Sequence, residues 1–433
     1  MYGRDDQASW HHRPPVLGGR HGCHDRKISE RGGDPAATIE VPEADLEDLR
    51  ARIAATRWPE KETVEDQSQG PQLATVQELA RYWLEEYDWR KCESRLNAVP
   101  NFITEIDGLD IHFIHARSKH DDALPLIVCH GWPGSVVEQL KIIGPLTDPT
   151  AHDASASDAF HVVIPSMPGF GFSGKPTSTG WGPVRMANAY VELMGRLGYT
   201  RFVAQGGDWG SVVVEVMAGG RDAPAAAQPA PPELIGIHAN MPGTVPPDIH
   251  TAAAIGSPAP SGLSDEELRS YEQLASFYKH VSYALIMGDR PQTLTGLVDS
   301  PVGLAAFMLD HDAASLDLIS RAFQGEPTGL TRDDVLDNIT LFWLTKTGVS
   351  ASRVYWEWLH QEKGTFFAVK NVTVPVGVSV FPDELYPAPR SWSEQAYPNL
   401  VYFNEHDTGG HFAAWEQPQP FSEDVRATFR SLR

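Results

Sequence analysis

The stretch Gln205-Gly206-Gly207-Asp208-Trp209-Gly210-Ser211 stands between an apolar segment and a predicted helix, and it is the most informative part of the chain. Gly206 and Gly210 flank Asp208 at the small-x-nucleophile-x-small spacing of a sharp strand-to-helix turn. Glycine suits such a turn because it has no Cβ and adopts backbone conformations that strain other residues. Taken alone, the motif also fits an ordinary surface turn. With the motifs that follow, it predicts Asp208 as a nucleophile.

A carboxylate at this turn restricts the chemistry. Asp208 is an anion before it reacts, so it suits attack on an sp³ carbon with a strained or good leaving group. The product of that attack is an alkyl ester of the aspartate. Epoxide opening and dehalogenation are the two reactions that fit.

Composition excludes several classes of protein. The 433 residues carry a formal net charge of −22, which argues against a nucleic acid or an anionic membrane as partner. Cys23, Cys92 and Cys129 have neither disulfide-framework nor zinc-site spacing. No apolar run approaches the roughly 20 residues of a membrane span, and the N-terminus has no signal-peptide core. We expect a soluble cytoplasmic protein.

The first 37 residues read as a disordered tail, because they are polar and rich in Gly, His, Arg and Asp. A metal site is the alternative, since the tail holds His11, His12, His21, Cys23 and His24. Nothing in their spacing favours a tetrahedral geometry, so we do not predict a metal there.

An alternating strand and helix pattern surrounds the Asp208 turn. Asp107-Gly108 predicts a hairpin turn between two short strands, and Leu124–Cys129 and Phe160–Ile164 read as strands buried on both faces. A helical stretch from about 244 to 345, which includes a capping box at Ser264, separates these strands from later ones at Val374–Val380 and Leu400–Phe403. The pattern predicts an α/β fold with a mostly parallel central sheet and a helical lid.

A base and an acid are expected after the later strands. His411, in Gly409-Gly410-His411, follows a strand and comes after Asp208 in the nucleophile-acid-base chain order. The acid orients the imidazole and stabilises its cation. Asp383, Glu384 and Asp407 are the candidates, and Glu384 is preferred over Asp383, with Asp407 last.

An oxyanion hole completes the predicted site. In an enzyme with this turn, one N–H comes from the residue after the nucleophile and another from the loop after an earlier strand. The backbones of Trp209 and of Trp132, in His130-Gly131-Trp132-Pro133, meet this description.

Together these motifs resemble the microsomal-type epoxide hydrolases, a group that includes juvenile hormone epoxide hydrolases. The resemblance covers roughly residues 38–425 and rests on the segments around Asp208, His130-Gly-Trp-Pro-Gly-Ser, Gly409-Gly-His-Phe-Ala-Ala-Trp-Glu, Asp299-Ser-Pro-Val-Gly-Leu-Ala-Ala and the N-terminal Trp58-Pro59, Trp89 and Phe102 to His112. It implies an α/β-hydrolase fold with an N-terminal epoxide-hydrolase extension at 38–118, a core at 119–243 and 346–433, and a lid at 244–345.

The resemblance also implies site residues and an activity. The nucleophile falls on Asp208, the acid on Glu384 and the base on His411. Two lid tyrosines that protonate the epoxide oxygen fall on Tyr283 and Tyr355, with Tyr271 and Tyr278 as alternatives to Tyr283. The expected reaction converts a small apolar epoxide and water to a vicinal diol without a cofactor or metal. A homodimer is the candidate assembly.

Two other functions remain open. A haloalkane or haloacid dehalogenase would share Asp208 and His411 but would need halide donors, for which Trp343 and Trp356 are candidates. An inactive protein that binds an apolar ligand would be expected to have a broken triad. The vertebrate members of the resembled family carry an N-terminal membrane anchor, whereas this chain has a polar tail, so no membrane anchor is expected here.

Overall fold

The protein is described from a computed structural model, in which residues 37–220, 229–363, 365–368 and 372–433 are described. Within these ranges, eight strands form one sheet in the order β1-β2-β4-β3-β5-β6-β7-β8. The strands are β1 Asn101–Ile106, β2 Leu109–Ala116, β3 Leu124–Cys129, β4 Phe160–Pro165, β5 Phe202–Gly206, β6 Leu234–Ala239, β7 Val376–Val380 and β8 Leu400–Glu405. β1 pairs antiparallel with β2, and β2 pairs antiparallel with β4. The remaining pairs of this sheet are parallel, so the mostly parallel sheet is confirmed.

Helices cover the sheet and fill the long insertion between β6 and β7. Before that insertion they are α1 Glu43–Ala54, α2 Leu73–Glu85, α3 Trp89–Asn97, α4 Leu140–Thr147, α5 Pro183–Arg196 and α6 Trp209–Met217. In the insertion they are α7 Pro247–Ala254, α8 Asp265–His280, α9 Ser282–Asp289, α10 Pro301–Leu309, α11 Ala313–Phe323, α12 Arg332–Thr345 and α13 Gly348–Trp356. The last helices are α14 Arg390–Ala396, α15 Ala413–Glu416 and α16 Pro418–Phe429.

Local patterns specify the hairpin and the central strands. Ile106 pairs with Leu109 across Asp107 and Gly108, both at positive φ, as the predicted turn requires. Every residue of β4, β5 and β7 is buried, because parallel strands are covered on both faces. This burial makes the carboxyl ends of β3, β5 and β7 a fixed edge from which loops project.

The insertion between β6 and β7 is helical, and the predicted capping box at Ser264 is present at the start of α8. The Ser264 hydroxyl accepts from the Glu267 N–H at 3.2 Å, and the Glu267 carboxylate accepts from the Ser264 N–H at 2.9 Å. Helical structure continues beyond residue 345, through α13 and a π-helical turn at Glu357–Glu362. The predicted domain boundaries remain our proposal, and Tyr355 lies in this continuation.

N-terminal helices hold the insertion over the sheet. The hydroxyls of Tyr82 and Tyr87 donate to Asp333 and Asp337 of α12, each at 2.8 Å. A guanidinium nitrogen of Arg52 donates at 2.8 Å to the carbonyl of Asp299, just before α10. These contacts join chain segments about 250 residues apart, so the N-terminal segment positions the insertion above the sheet.

The predicted N-terminal tail and the membrane-span prediction concern different parts of the chain. The predicted tail and its histidines fall outside the described residues, which begin at residue 37. Across the described ranges, no helix combines the length and the apolar character that crossing a membrane requires.

The fold makes a prediction about Gly210, which lies in the first turn of α6. A Cβ at Gly210 would lie 2.0 Å from the carbonyl oxygen of Cys129 on β3, so the β5–α6 junction would have to move away from β3. We expect Gly210→Ala to lower the free energy of unfolding by ~1–3 kcal/mol in urea titrations, a typical cost of overpacking.

Gly195→Ala is the matched control, since its Cβ would meet nothing within 4 Å in the exposed last turn of α5. It should raise the free energy of unfolding by ~0.5–1 kcal/mol. Equal effects of the two substitutions would contradict the packing argument.

Candidate active site

Asp208 occupies the strained turn between β5 and α6. Its backbone has φ 52° and ψ −128°, a conformation that residues other than glycine rarely adopt. Parallel pairing of β5 with β3, in which Gly206 faces Cys129, brings the turn against the loop after β3. The side chain of Asp208 is buried, and it points into a cavity beneath the inserted helices.

Two backbone N–H groups bind the Asp208 carboxylate. The Trp132 N–H donates to Oδ1 at 2.7 Å, and the Trp209 N–H also bonds the carboxylate. A Cβ on Gly131 would lie 2.1 Å from Oδ1, so only glycine admits the carboxylate here. The arrangement leaves Oδ2 facing His411. The two predicted oxyanion donors therefore both contact Asp208.

The loop after β3 is tied to the insertion. Asn338 of α12 donates from Nδ2 to the carbonyl of Pro133 and accepts from the Ser135 hydroxyl, each at 2.7 Å. His130 accepts from the Met167 N–H at 3.2 Å through Nε2. These buried bonds fix the direction of the Trp132 N–H.

His411 and Glu384 form a buried pair beside Asp208. His411 Nδ1 lies 2.6 Å from Glu384 Oε1, and His411 Nε2 lies 3.8 Å from Asp208 Oδ2. Glu384 Oε1 also accepts from the Leu385 N–H at 2.8 Å, which orients the carboxylate. The alternatives Asp383 and Asp407 are exposed. Of the three predicted acids, Glu384 is the one in contact with the imidazole.

A second glutamate braces the loop that carries His411. Glu416 accepts from the backbone N–H groups of Gly410 at 3.1 Å and Phe412 at 3.0 Å, on either side of the histidine. Burial raises the pKa of Glu416 to about 7. The sequence prediction did not include Glu416, although its position in the turn after His411 was the available signal.

The charges favour an imidazolium on His411. Burial opposes that charge, but the carboxylates of Glu384, Asp208 and Asp312 outweigh it and raise the pKa of His411 to about 10. Burial also raises the pKa of Asp208, while the neighbouring histidines work in the opposite direction. This coupling favours an Asp208 carboxylate beside a His411 cation, and the preference depends on the charge of Asp208.

Tyr283 of α9 and Tyr355 of α13 lie together above Asp208. Their ring centroids are 6.1 Å apart at an interplanar angle of 85°, and both side chains line the cavity that holds Asp208. Burial raises the pKa of both tyrosines well above the usual value, which keeps both hydroxyls protonated. The alternatives are engaged elsewhere: the Tyr271 hydroxyl donates to Ser257 at 2.5 Å, and that of Tyr278 contacts His250 at 2.8 Å.

Two cavities of different size meet at Asp208. The larger, about 940 Å³, is walled by aromatic and aliphatic side chains that include Phe277, Trp358 and Phe367. The smaller is about 20 Å³ and lies between Asp208, His411 and Glu138. One water molecule needs ~10–15 Å³ of such space, so the smaller cavity has room for one. Burial raises the pKa of Glu138 to about 8.

The sequence analysis also missed His311 and Asp312, which lie between α10 and α11. His311 Nδ1 is 2.8 Å from Asp312 Oδ2, and the ring centroid of His311 is 4.3 Å from that of His411. Asp208, His311 and His411 have potential metal-ligand atoms within 4.8 Å of one another. Each imidazole is bonded to a carboxylate through Nδ1. The one signal in the sequence was a histidine between two aspartates in an otherwise apolar segment.

The tryptophans considered as halide donors lie elsewhere. Trp343 packs under the guanidinium of Arg52, 5.7 Å from its ring centroid, and Trp356 stacks on His360. Within the described ranges, Trp209 and Trp358 line the large cavity, and the buried indole N–H of Trp358 lacks a hydrogen-bond partner.

Two protein families match parts of the chain. The family described as epoxide hydrolase N terminus matches residues 35–139, and the family described as alpha/beta hydrolase fold matches residues 125–221. The second match includes Asp208 and the Trp132 loop, and the first includes the N-terminal helices that hold the insertion. The predicted fold class is therefore confirmed.

Relatives match over most of their length. A putative epoxide hydrolase of Stigmatella aurantiaca is 51% identical over 398 residues, which are 91% of this chain and 84% of the relative. Epoxide hydrolase 1 of Oryctolagus cuniculus is 35% identical over 89% of this chain and 86% of its own. The crystal structure of juvenile hormone epoxide hydrolase from Bombyx mori superposes with a TM-score of 0.77 at 30% identity, over 92% of this chain and 95% of that one.

The charge coupling between Asp208 and His411 makes a prediction. Replacing Asp208 with Asn removes a negative charge that stabilises the imidazolium, so the pKa of His411 should fall from about 10. A ¹⁵N NMR titration measures it, with His411→Gln assigning the signal. Asp383→Asn, which neutralises an exposed neighbour of Glu384, should leave that pKa unchanged. The same pKa in Asp208→Asn as in the wild type would refute the coupling.

Proposed function

Because the chain belongs to the epoxide hydrolase family, we propose that it converts a small apolar epoxide and water to a vicinal diol through a covalent ester on Asp208. One observation carries the proposal. The Asp208 carboxylate lines the open cavity with Oδ1 bound by the Trp132 N–H and with Oδ2 3.8 Å from His411 Nε2. This is the orientation that a nucleophile with a separate base for the second step requires.

In the first step, Asp208 Oδ2 attacks an epoxide carbon and the C–O bond of the ring breaks. Tyr283 and Tyr355 bind the epoxide oxygen, and one of them donates its proton to the developing alkoxide. An alkoxide leaves poorly without such assistance, and acid assistance typically contributes ~10²–10⁴-fold. Apolar walls formed by Phe277, Trp358 and similar side chains support an apolar substituent on the epoxide.

Formation of the ester turns His411 into a base. The resting cation is stabilised in part by the charge of Asp208, and esterification removes that charge. The pKa of His411 then falls, so the imidazole can lose its proton and accept one from water. Base activity is therefore delayed until there is an ester to hydrolyse.

In the second step, a water molecule activated by His411 attacks Cγ of the Asp208 ester. The cavity of about 20 Å³ between Asp208, His411 and Glu138 supports a water at this place. Negative charge develops on Oδ1, to which the Trp132 N–H donates, while the Trp209 N–H bonds the same carboxylate. Such donors typically contribute ~2.7–4 kcal/mol each. Collapse of the intermediate releases the diol and restores the Asp208 carboxylate and the His411 cation.

A dehalogenase is the less supported alternative. Trp343 and Trp356 lie away from Asp208, although Trp209 and Trp358 line the large cavity. A tyrosine pair placed over the nucleophile suits an oxygen leaving group that needs a proton, which a halide does not. The match to epoxide hydrolases over most of the chain supports the same preference.

The covalent route predicts the origin of the new oxygen. A single turnover with excess enzyme and styrene oxide in ¹⁸O-water should give a first diol without solvent label, because the transferred oxygen comes from Asp208. Mass spectrometry of the diol measures this. Asp208→Ala should abolish turnover, and His411→Gln should let the ester accumulate. Label in the first diol would exclude the ester mechanism.

The tyrosine pair predicts a selective loss in the first step. Tyr283→Phe and Tyr355→Phe should each slow ester formation by ~10²-fold or more, as loss of acid assistance does. Rapid-quench assays of the ester measure the rate. Tyr278→Phe is the matched control, because Tyr278 lines the same cavity with its hydroxyl on His250, and it should form ester at a rate near that of the wild type. Equal losses in all three variants would speak against the assignment.

A further inference from the structure

A second histidine–carboxylate pair faces the catalytic residues and has no role in the mechanism above. His311 is buried at the corner between α10 and α11, with Nδ1 2.8 Å from Asp312 Oδ2. Asp312 Oδ1 in turn accepts from the Ser315 N–H at 2.8 Å, at the start of α11. The imidazole is thus held rigidly by a carboxylate that the helix start keeps in place.

The free edge of His311 points into the site. Within the described part of the chain, its Nε2 is buried and has no hydrogen-bond partner, which is costly for a polar atom without a function. The ring centroid of His311 is 4.3 Å from that of His411 and 5.1 Å from that of Tyr283. His311 therefore lies between the base and a lid tyrosine, in contact with both rings.

The proposed reaction requires a proton to cross this interval. After the first step, one tyrosine has given its proton to the substrate oxygen and is a phenolate, while His411 still carries its proton. Hydrolysis requires the opposite state, with His411 neutral and the tyrosine protonated for the next cycle. One proton must therefore move from His411 to the tyrosine between the two steps.

We propose that His311 carries this proton from His411 to the lid tyrosines, an inference that rests on the proposed function. Nε2 of His311 accepts the proton from Nε2 of His411 and passes it to the phenolate oxygen of Tyr283, or through Tyr283 to Tyr355. Throughout the transfer, the Nδ1–H of His311 stays hydrogen-bonded to the Asp312 carboxylate, which stabilises the His311 cation that forms as an intermediate. A gap wider than about 3.5 Å is spanned by one water molecule. No bond between heavy atoms changes in this transfer.

The electrostatics favour this direction. Esterification removes the Asp208 charge that helps hold the proton on His411, while burial raises the pKa of both tyrosines well above the usual value. Burial works against ionisation of Asp312, but the bond from His311 lowers its pKa to about 2, so its charge persists throughout. The proton therefore moves from a His411 cation that has become a stronger acid to a tyrosinate that is a strong base.

The test separates the two half-reactions in His311→Gln with excess enzyme and styrene oxide. Ester should form at a rate near that of the wild type, because Asp208 and the tyrosines are intact. Its decay should slow by at least ~10-fold, less than the largest effects of general acid–base groups because solvent in the cavity also delivers protons. Ultraviolet absorbance of tyrosinate should persist while the ester persists. Imidazole added to the buffer should restore the decay.

Two further variants sharpen the result. Asp312→Asn keeps the imidazole of His311 but removes the carboxylate that holds it, so it should slow ester decay by a smaller factor than His311→Gln does. If His311→Gln fails to fold, Asp312→Asn tests the relay in its place. His115→Gln is the matched control, since it removes a half-buried histidine of β2 that lies outside the site. The Nε2 of His115 contacts the Tyr199 hydroxyl at 2.8 Å. It should change neither half-reaction.

The outcomes distinguish the relay from the proposed function. Absence of an ester in the wild-type enzyme would overturn the proposed function itself. An ester in the wild type that decays equally fast in His311→Gln would overturn the relay alone. So would an equal slowing of ester formation and decay, or slow decay without a tyrosinate signal, because both indicate a structural role for His311.

Discussion

The close backbone approach at the β5–α6 turn is the constraint on which the site depends. Asp208 has a φ of 52°, and strain of this kind costs about 1–3 kcal/mol at a residue other than glycine. The turn persists because β5 is buried between β3 and β6 and because Gly210 lets α6 begin directly against the Cys129 carbonyl. The same approach brings Asp208 under the Trp132 N–H. The nucleophile and its oxyanion donors therefore share one structural cause.

Around that turn, His411 and His311 each lie beside at least one carboxylate. His411 lies between Glu384 and Asp208, and His311 is bonded to Asp312, all with low exposure to solvent. Buried ions are tolerated when each has a partner and hydrogen bonds, and here every carboxylate has at least one. In the proposed mechanism, loss of the Asp208 charge on esterification shifts the balance of the whole group. A single covalent change then decides which imidazole or phenol holds a proton.

The insertion between β6 and β7 covers the site and also supplies several of its residues. Its helix α12 holds the Trp132 loop through Asn338, its α9 and α13 supply the tyrosines, and the corner between α10 and α11 supplies His311. Hydrogen bonds from Tyr82 and Tyr87 anchor α12 to the N-terminal helices. The donors over the substrate and the groups under it are therefore positioned by contacts between distant segments, and displacement of α12 would disturb both.

The amino-acid sequence alone determined the strand pattern, the glycine-flanked Asp208, the histidine after β8 and the Trp132 loop, because each depends on neighbours within a few residues. It ranked Glu384 above Asp383 and Asp407, but only the fold shows which of them contacts His411. Helices beyond residue 345 and the roles of His311, Asp312, Glu138 and Glu416 were not predicted. His311 is 100 residues from His411 and 28 from Tyr283 along the chain, and the packing of α10 and α11 brings the three rings together. That contact is visible only in the folded protein, because long-range packing leaves no period or spacing in the sequence.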